Sequence, residues 1–278
     1  MAAFALIALA LALVVFFWLR KKWPESRWSE VGKVDARRFD IADFVVVGAV
    51  MALMLSGLLF QDSAPPAGTE TPAPSVEAED GSAPKASNLL MFVYVLVLHG
   101  MLLGCLLAYM ALMRGFNLVE TFGLKRLGPL KAIGIPLVSI IPVMILVLLV
   151  ARLSSMLFPD GGAQQAVEEF MQTSDSGVQI RIALAAVLIA PIWEETLFRG
   201  FIYPVVKKYT EPIFAAVFSG LVFSIVHFHV PGLLPLWALG ILLALAYEWT
   251  GSLWVPMILH ALFNGIMTVQ MLRESGAF

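Results

Sequence analysis

The feature that most constrains this chain is the recurrence of long, mostly apolar runs, at about 2–19, 42–60, 89–113, 133–157, 180–206, 212–230, 233–249 and 252–271. A run of about 18 or more apolar residues crosses a hydrocarbon core of roughly 30 Å as a helix. Within such a helix every backbone polar group finds a partner in its own segment. A soluble fold needs polar residues to cover its surface, and this 278-residue chain is 60% hydrophobic and only 14% charged. The pattern predicts an all-α, polytopic transmembrane bundle of about eight spans.

The charges between the runs orient it. The first run is followed, not preceded, by Arg20, Lys21 and Lys22. A cleavable signal peptide has the opposite order, so the reading is an uncleaved first helix with its N-terminus outside. Thirteen of the 18 Lys and Arg residues fall in three connections: seven after the first run, four after the third and two, Lys207 and Lys208, after the fifth. By the positive-inside rule these three lie in the cytoplasm. The acidic connections, at 61–88 and around Asp160 to Asp175, then lie outside. An even number of spans returns the C-terminus to the outside. The localisation expected is an integral, multi-pass membrane protein, in the inner (cytoplasmic) membrane if the source is bacterial. A net charge of −2 argues against a nucleic-acid partner.

Residues 61–88 are rich in Pro, Ala, Ser and acid and are expected to be a disordered, solvated loop. The single cysteine, Cys105, allows no intramolecular disulfide and reads as a buried structural thiol. Gly100 and Gly104 form a GxxxG pattern that permits close helix contact. By content the chain divides into an N-terminal transmembrane region, 1–175, and a polar-studded core, 176–278. In the first region His99 is the clear polar group deep in a span.

The second region carries groups that a membrane span avoids. The fifth run places Glu194 and Glu195 near mid-membrane, where each charge costs roughly 2.5–3.5 kcal/mol on insertion scales. Arg199 is four residues beyond Glu195, on the same helix face. Glu194 points about 100° away and has no partner within its own helix. Pro191 interrupts the hydrogen-bond ladder just upstream. Phe223 and His227 are four apart in the sixth run, and His260 and Asn264 are four apart in the eighth. A carboxylate, two imidazoles and an amide are the parts of a water-activating site: a base, a group to position it, and donors for an oxyanion. Each has a plainer reading, as a bonded core histidine, interhelical glue or a structural ion pair. The ordered combination EExxxR, FxxxH, HxxxN is specific. His227 lies only a few residues before Pro231 and Gly232. Either the sixth span is tilted, or His227 to Pro235 form a re-entrant turn lining a cavity.

Over about 180–271 the chain resembles the CAAX prenyl endopeptidase and bacteriocin-processing family, the glutamate-type intramembrane proteases also called the ABI family. The motifs that match are Glu194-Glu195-xxx-Arg199, Phe223-xxx-His227 and His260-xxx-Asn264. The resemblance implies that Glu194 and His227 activate water, that His260 and Asn264 hold the oxyanion, and that Glu195, Arg199 and Phe223 support them. It implies no cofactor, a membrane-anchored or lipidated protein or peptide as substrate, and the lipid bilayer as surroundings. The first four runs carry no matching motif.

Rival readings exist. Glu194, His227 and His260 would suit a two-His, one-carboxylate zinc protease, although HExxH is absent. A serine protease of the rhomboid kind wants GxSG, and Ser219-Gly220 lacks the first glycine. A presenilin-like site wants paired intramembrane Asp residues. A non-enzymatic transporter or immunity protein would use Glu and His as proton carriers. It would want polar groups along a path through both halves of the membrane.

Overall fold

The computed structural model describes residues 32–61, 83–159, 165–173 and 175–274, and these are helical with no strand among them. The first apolar run, most of the loop expected at 61–88 and the segment 160–164 lie outside the described residues. The helices are α1 (Ile41–Gln61), α2 (Ala83–Ala108, continued by a π turn at Tyr109–Met113), α3 (Pro129–Leu157), α4 (Gln165–Gln172), α5 (Ser176–Tyr209), α6 (Pro212–Ile225), α7 (Leu233–Thr250) and α8 (Trp254–Glu274). Helix α2 begins at Ala83, a few residues before the expected start of that span.

Segments in five of these helices, α2, α3, α5, α7 and α8, are long and apolar enough to cross a membrane. The apolar parts of α1 and α6 are shorter. On α3, Leu130, Val138, Ile141 and Leu149 are among many large apolar side chains left exposed, a surface suited to lipid and not to water. The chain is an integral, multi-pass membrane protein built as a transmembrane helix bundle.

Two expectations need correcting. Cys105 is exposed on α2 among the described residues, not buried. Ideal Cβ atoms at Gly100 and Gly104 would meet nothing within 4 Å, so among the described residues this GxxxG face has no partner.

The three basic connections meet at one end of the bundle. Residues 32–40 form a strap across it. The carbonyl of Lys33 accepts from Arg126, that of Val34 from Lys207 at 2.8 Å, that of Arg37 from Lys208 at 2.8 Å, and that of Arg38 from Arg114 at 3.4 Å. Val34, Ala36 and Phe39 bury their side chains beneath the strap. It leads into α1 through reciprocal caps. Asp40 accepts from the Ala42 N–H, and Asp43 accepts from the Asp40 N–H, both at 2.8 Å. Asp43 is fully buried and also binds Tyr109 and Arg114, which lock α1 to the end of α2. The hydrogen bond to Asp43 pushes the Arg114 guanidinium above its ordinary value.

At the same end α7 stops on Gly251, whose φ of +68° is the left-handed conformation a helix C-terminus favours. The turn then feeds α8, and Leu253 N–H bonds the Phe122 carbonyl at 2.9 Å. Inside the bundle α6 and α7 cross at Gly220 and Gly240. A Cβ on Gly240 would come within 2.7 Å of the Gly220 Cα, so only glycine permits this approach. The crossing puts α6 and α7 directly behind α5, which carries the two glutamates.

Candidate active site

Helix α5 widens into π turns at Ala185–Ile189 and Phe198–Ile202. In the first, the Ala190 N–H reaches the Ala185 carbonyl. The next bond in that register belongs to residue 191, which is proline and has no N–H. The Ala186 carbonyl is thereby left for an outside donor. Asn264 Nδ2 fills the place at 2.7 Å, fixing α8 against α5. One amide hydrogen of Asn264 is held this way, and the amide carries a second.

One turn beyond Pro191 comes Glu195, fully buried, with Arg199 fully buried four residues on. Arg199 Nη1 bonds Glu195 Oε1 at 2.7 Å. Its Nη2 bonds the Gly240 carbonyl on α7 at 3.0 Å. The guanidinium lies over the Phe223 ring at 4.7 Å, which adds a cation–π contact. Glu195 Oε1 also receives His260 Nδ1 at 2.9 Å. Across the same imidazole, His260 Nε2 stands 3.8 Å from Glu194 Oε2. The result is a continuous series, Gly240 carbonyl, Arg199, Glu195, His260, Glu194, drawn from α7, α5 and α8. Glu194 is the member that retains access, with 18% of its side chain exposed. Glu194 Oε2, Glu195 Oε2 and Arg199 Nε are buried without a hydrogen-bond partner among the described residues.

His227 lies beyond the end of its helix. Helix α6 ends at Ile225, and at 14 residues it is about 21 Å long, short of a full crossing. His227 lies in the turn that follows, where its N–H bonds the Ser224 carbonyl. The chain then reverses through Phe228, whose φ of +52° lies in the left-handed region. Of the two alternatives for this segment, a turn at the α6–α7 junction is what the structure contains. Ser154 of α3 braces it, donating to the Pro231 carbonyl at 2.7 Å.

His227 Nδ1 is 2.6 Å from the Phe223 carbonyl, an acceptor, so Nδ1 is the donor and Nε2 keeps a lone pair. Phe223 stands between the two histidines, with ring centres 4.7 Å from His227 and 5.7 Å from His260. The structure thus brings Glu194, Glu195, Arg199, Phe223 and His260 into one cluster. His227 joins it through Phe223 and makes no direct bond to either glutamate. Asn264 is bonded one helical turn beyond His260. From the N-terminal region His99 packs edge-on against Trp193 at 5.5 Å, beside Glu194.

The described residues contain no group of three or more His, Cys, Asp or Glu side chains that could hold a metal ion. His260 Nδ1 already serves Glu195, and His227 stands apart from Glu194.

Sequence reasoning missed Glu248. This α7 residue takes two hydrogen bonds from Lys207 Nζ, at 2.8 and 3.0 Å, and one from Tyr203 Oη at 2.7 Å. The signal was a lone acid in the run 233–249 and a Tyr203/Lys207 pair four apart on α5.

Comparison with known proteins matches residues 176–266 to the family described as type II CAAX prenyl endopeptidase, Rce1-like. The segment is 33% identical over 86 residues to the putative membrane peptidase YdiL of Bacillus subtilis, covering 31% of this chain and 35% of that protein. It is 32% identical over 88 residues to the membrane-embedded CAAX protease MroQ of Staphylococcus aureus, covering 30% and 36%. YpbD of Bacillus subtilis, which carries no assigned function in its name, is 30% identical over 127 residues, 43% of this chain and 58% of that protein. The chain thus spans about a third of the first two relatives and somewhat over half of the third. No solved structure matches.

Proposed function

We propose that this chain is an intramembrane endopeptidase that hydrolyses a peptide bond in a membrane-anchored or lipidated protein or peptide. The observation that carries the reading is the buried series Arg199–Glu195–His260–Glu194, on helices of the segment that matches a family of membrane proteases. Two adjacent carboxylates deep in a membrane are costly, and a structural pair needs only one of them. Glu195 has that structural place. Glu194 faces no cation on its own helix and keeps an unpaired, buried oxygen beside a partly open approach.

Glu194 takes a proton from water while the oxygen attacks the carbonyl carbon. His227, fixed as an Nε2 acceptor by the Phe223 carbonyl, positions the same water. The developing oxyanion is held by His260 and by the second amide hydrogen of Asn264. Glu195, Arg199 and Phe223 hold His260 and His227 in register. Residues 1–175 carry none of the matching motifs, and the reaction as proposed uses no metal.

The test is the substitution Glu194→Gln, which preserves shape and hydrogen bonding but removes the base. It also removes a costly charge, so the protein should accumulate in the membrane at the wild-type level. Cleavage of a membrane-anchored peptide in liposomes should be undetectable. Robust cleavage by well-expressed Glu194→Gln protein would end the glutamate-protease reading. If that variant fails to accumulate, His227→Asn is tested in the same assay and should also abolish turnover.

A further inference from the structure

His260 stands between two carboxylates, and what its nitrogens face decides which of them carry hydrogen. Glu195 Oε1 already accepts from Arg199, so as a carboxylate it can only accept from His260 Nδ1. Nδ1 is therefore a donor. Nε2 faces Glu194 Oε2 at 3.8 Å, beyond hydrogen-bond length but within one small movement of it. Each nitrogen of the ring thus faces a carboxylate oxygen, Glu195 at 2.9 Å and Glu194 at 3.8 Å, so a hydrogen on Nε2 would point at the group that receives a proton from water.

We propose that His260 is the general acid of the hydrolysis, and not only a donor to the oxyanion. This rests on Glu194 being the base. The water oxygen bonds to the carbonyl carbon as one water proton passes to Glu194. The tetrahedral intermediate collapses as His260 Nε2 gives its proton to the scissile nitrogen, and the C–N bond breaks. A carboxylic acid and a free amine leave. The proton on Glu194 returns to Nε2 across the 3.8 Å gap, which restores both groups. Glu195, clamped by Arg199, keeps Nδ1 as a donor throughout, so Nε2 is the nitrogen that cycles. One water is consumed and no other reactant is needed.

The experiment compares two leaving groups. The probe is the membrane-anchored peptide cleaved by wild type, prepared with its scissile amide and, separately, with a thioester in its place. A thiolate, from a thiol with a pKa of about 8.5, departs without receiving a proton, whereas an amine does not. His260→Gln retains a donor for Glu195 but has no proton to transfer. Both substrates lose the oxyanion contact of His260, by about 10²–10³, and the amide alone should lose a further factor of about 10²–10⁴. Asn264→Ala should slow both substrates by the same factor. Equal losses on both substrates in His260→Gln would overturn the general-acid role and leave His260 as an oxyanion donor. Glu194→Gln should lose both activities. Amide cleavage surviving in Glu194→Gln would instead overturn the underlying assignment of the base. If His260→Gln does not accumulate, wild type decides with a series of anilide substrates. A general acid makes turnover nearly independent of the basicity of the leaving amine. A steep fall with increasing basicity would overturn the proposal.

Discussion

Helix α5 carries two buried polar clusters only a few turns apart, and they are finished differently. Toward the basic end, Lys207 donates to Glu248 twice and to the Val34 carbonyl once, and Tyr203 donates to the same carboxylate. Each of the three ammonium hydrogens and both carboxylate oxygens has a partner. Nearer mid-helix, Glu195, Arg199 and His260 are equally buried, yet each glutamate keeps one unpartnered oxygen and Arg199 keeps an unpartnered Nε. Both clusters bring opposite charges into an apolar bundle, and both cross from α5 to α7. In the first, satisfaction is complete, and its effect is to fasten the strap 32–40 beneath the helices. In the second, hydrogen-bonding capacity is left unfilled, and the proposed hydrolysis would use it. Buried ion pairs are weak evidence of function by themselves. The distinguishing mark here is which polar atoms the fold leaves unanswered.

The largest effect expected from that contrast is on stability. Lys207→Met leaves the Glu248 carboxylate buried with Tyr203 as its remaining donor. Breaking one side of a buried pair costs about 3–5 kcal/mol. Yield and the unfolding midpoint in detergent should fall sharply, while turnover per folded molecule stays within about twofold of wild type. Glu195→Gln should lower both, because it strands Arg199 and releases His260 Nδ1. A folded Lys207→Met protein with turnover down a hundredfold would erase the distinction between the two clusters.

The sequence shows one of these clusters and hides the other, for physical reasons. Glu195 with Arg199 and His260 with Asn264 are spaced at i, i+4, so each pair is a neighbour on its own helix wherever that helix packs. Lys207 reads as the start of a basic connection because Lys208 follows it, but α5 runs on to Tyr209 and turns Lys207 inward. Its partner lies on another helix, so no local spacing reveals it. The place of His227 was ambiguous because Phe223-xxx-His227 fits a helix equally well. The end of α6 at Ile225 and the positive φ at Phe228 decide the matter. The bond from Asn264 to the Ala186 carbonyl was half visible. Pro191 announces a carbonyl lacking its N–H, but which one depends on the π register. Likewise Gly100 and Gly104 permit a close contact that no described residue makes, and the close glycine crossing among the described residues lies at Gly220 and Gly240.

That crossing gives the next effect in size. Gly240 presents its carbonyl to Arg199 and its bare Cα to Gly220. Gly240→Ala introduces a Cβ about where the Gly220 backbone stands, and overpacking of this kind costs about 1–3 kcal/mol. It also shifts α6, which carries Phe223, relative to Arg199. The expected outcome is a lower unfolding midpoint together with a lower kcat and a nearly unchanged KM. Lys207→Met should not show the fall in kcat. A Gly240→Ala protein with wild-type kcat would mean that the Arg199 bond to the Gly240 carbonyl contributes nothing to positioning.

The smallest effect tests the exposed edge of the fastened cluster, where the same strap carries a surface pair. Asp35 meets Arg37 at 2.7 Å, with side chains 49% and 66% exposed. The hydrogen bond from the Arg37 side chain holds the Asp35 carboxyl at about 2, below its ordinary 3.8. A carboxylate lowered on folding adds stability above its unfolded value and loses it as pH falls through the folded one. The contribution is thus complete above about pH 5, mostly lost by about pH 2 and gone only at about pH 1. Solvent screens the pair, so its worth is about 0.2–1 kcal/mol and less at high salt. Asp35→Asn should lower the unfolding midpoint slightly at pH 7, and the difference from wild type should shrink to a small remainder by about pH 2. Unfolding curves in detergent across that range, at low and high salt, measure it. A difference that stays constant with pH would mean that the substitution acts through the strap backbone, where the Arg37 N–H also bonds Asp35, and not through the carboxylate charge.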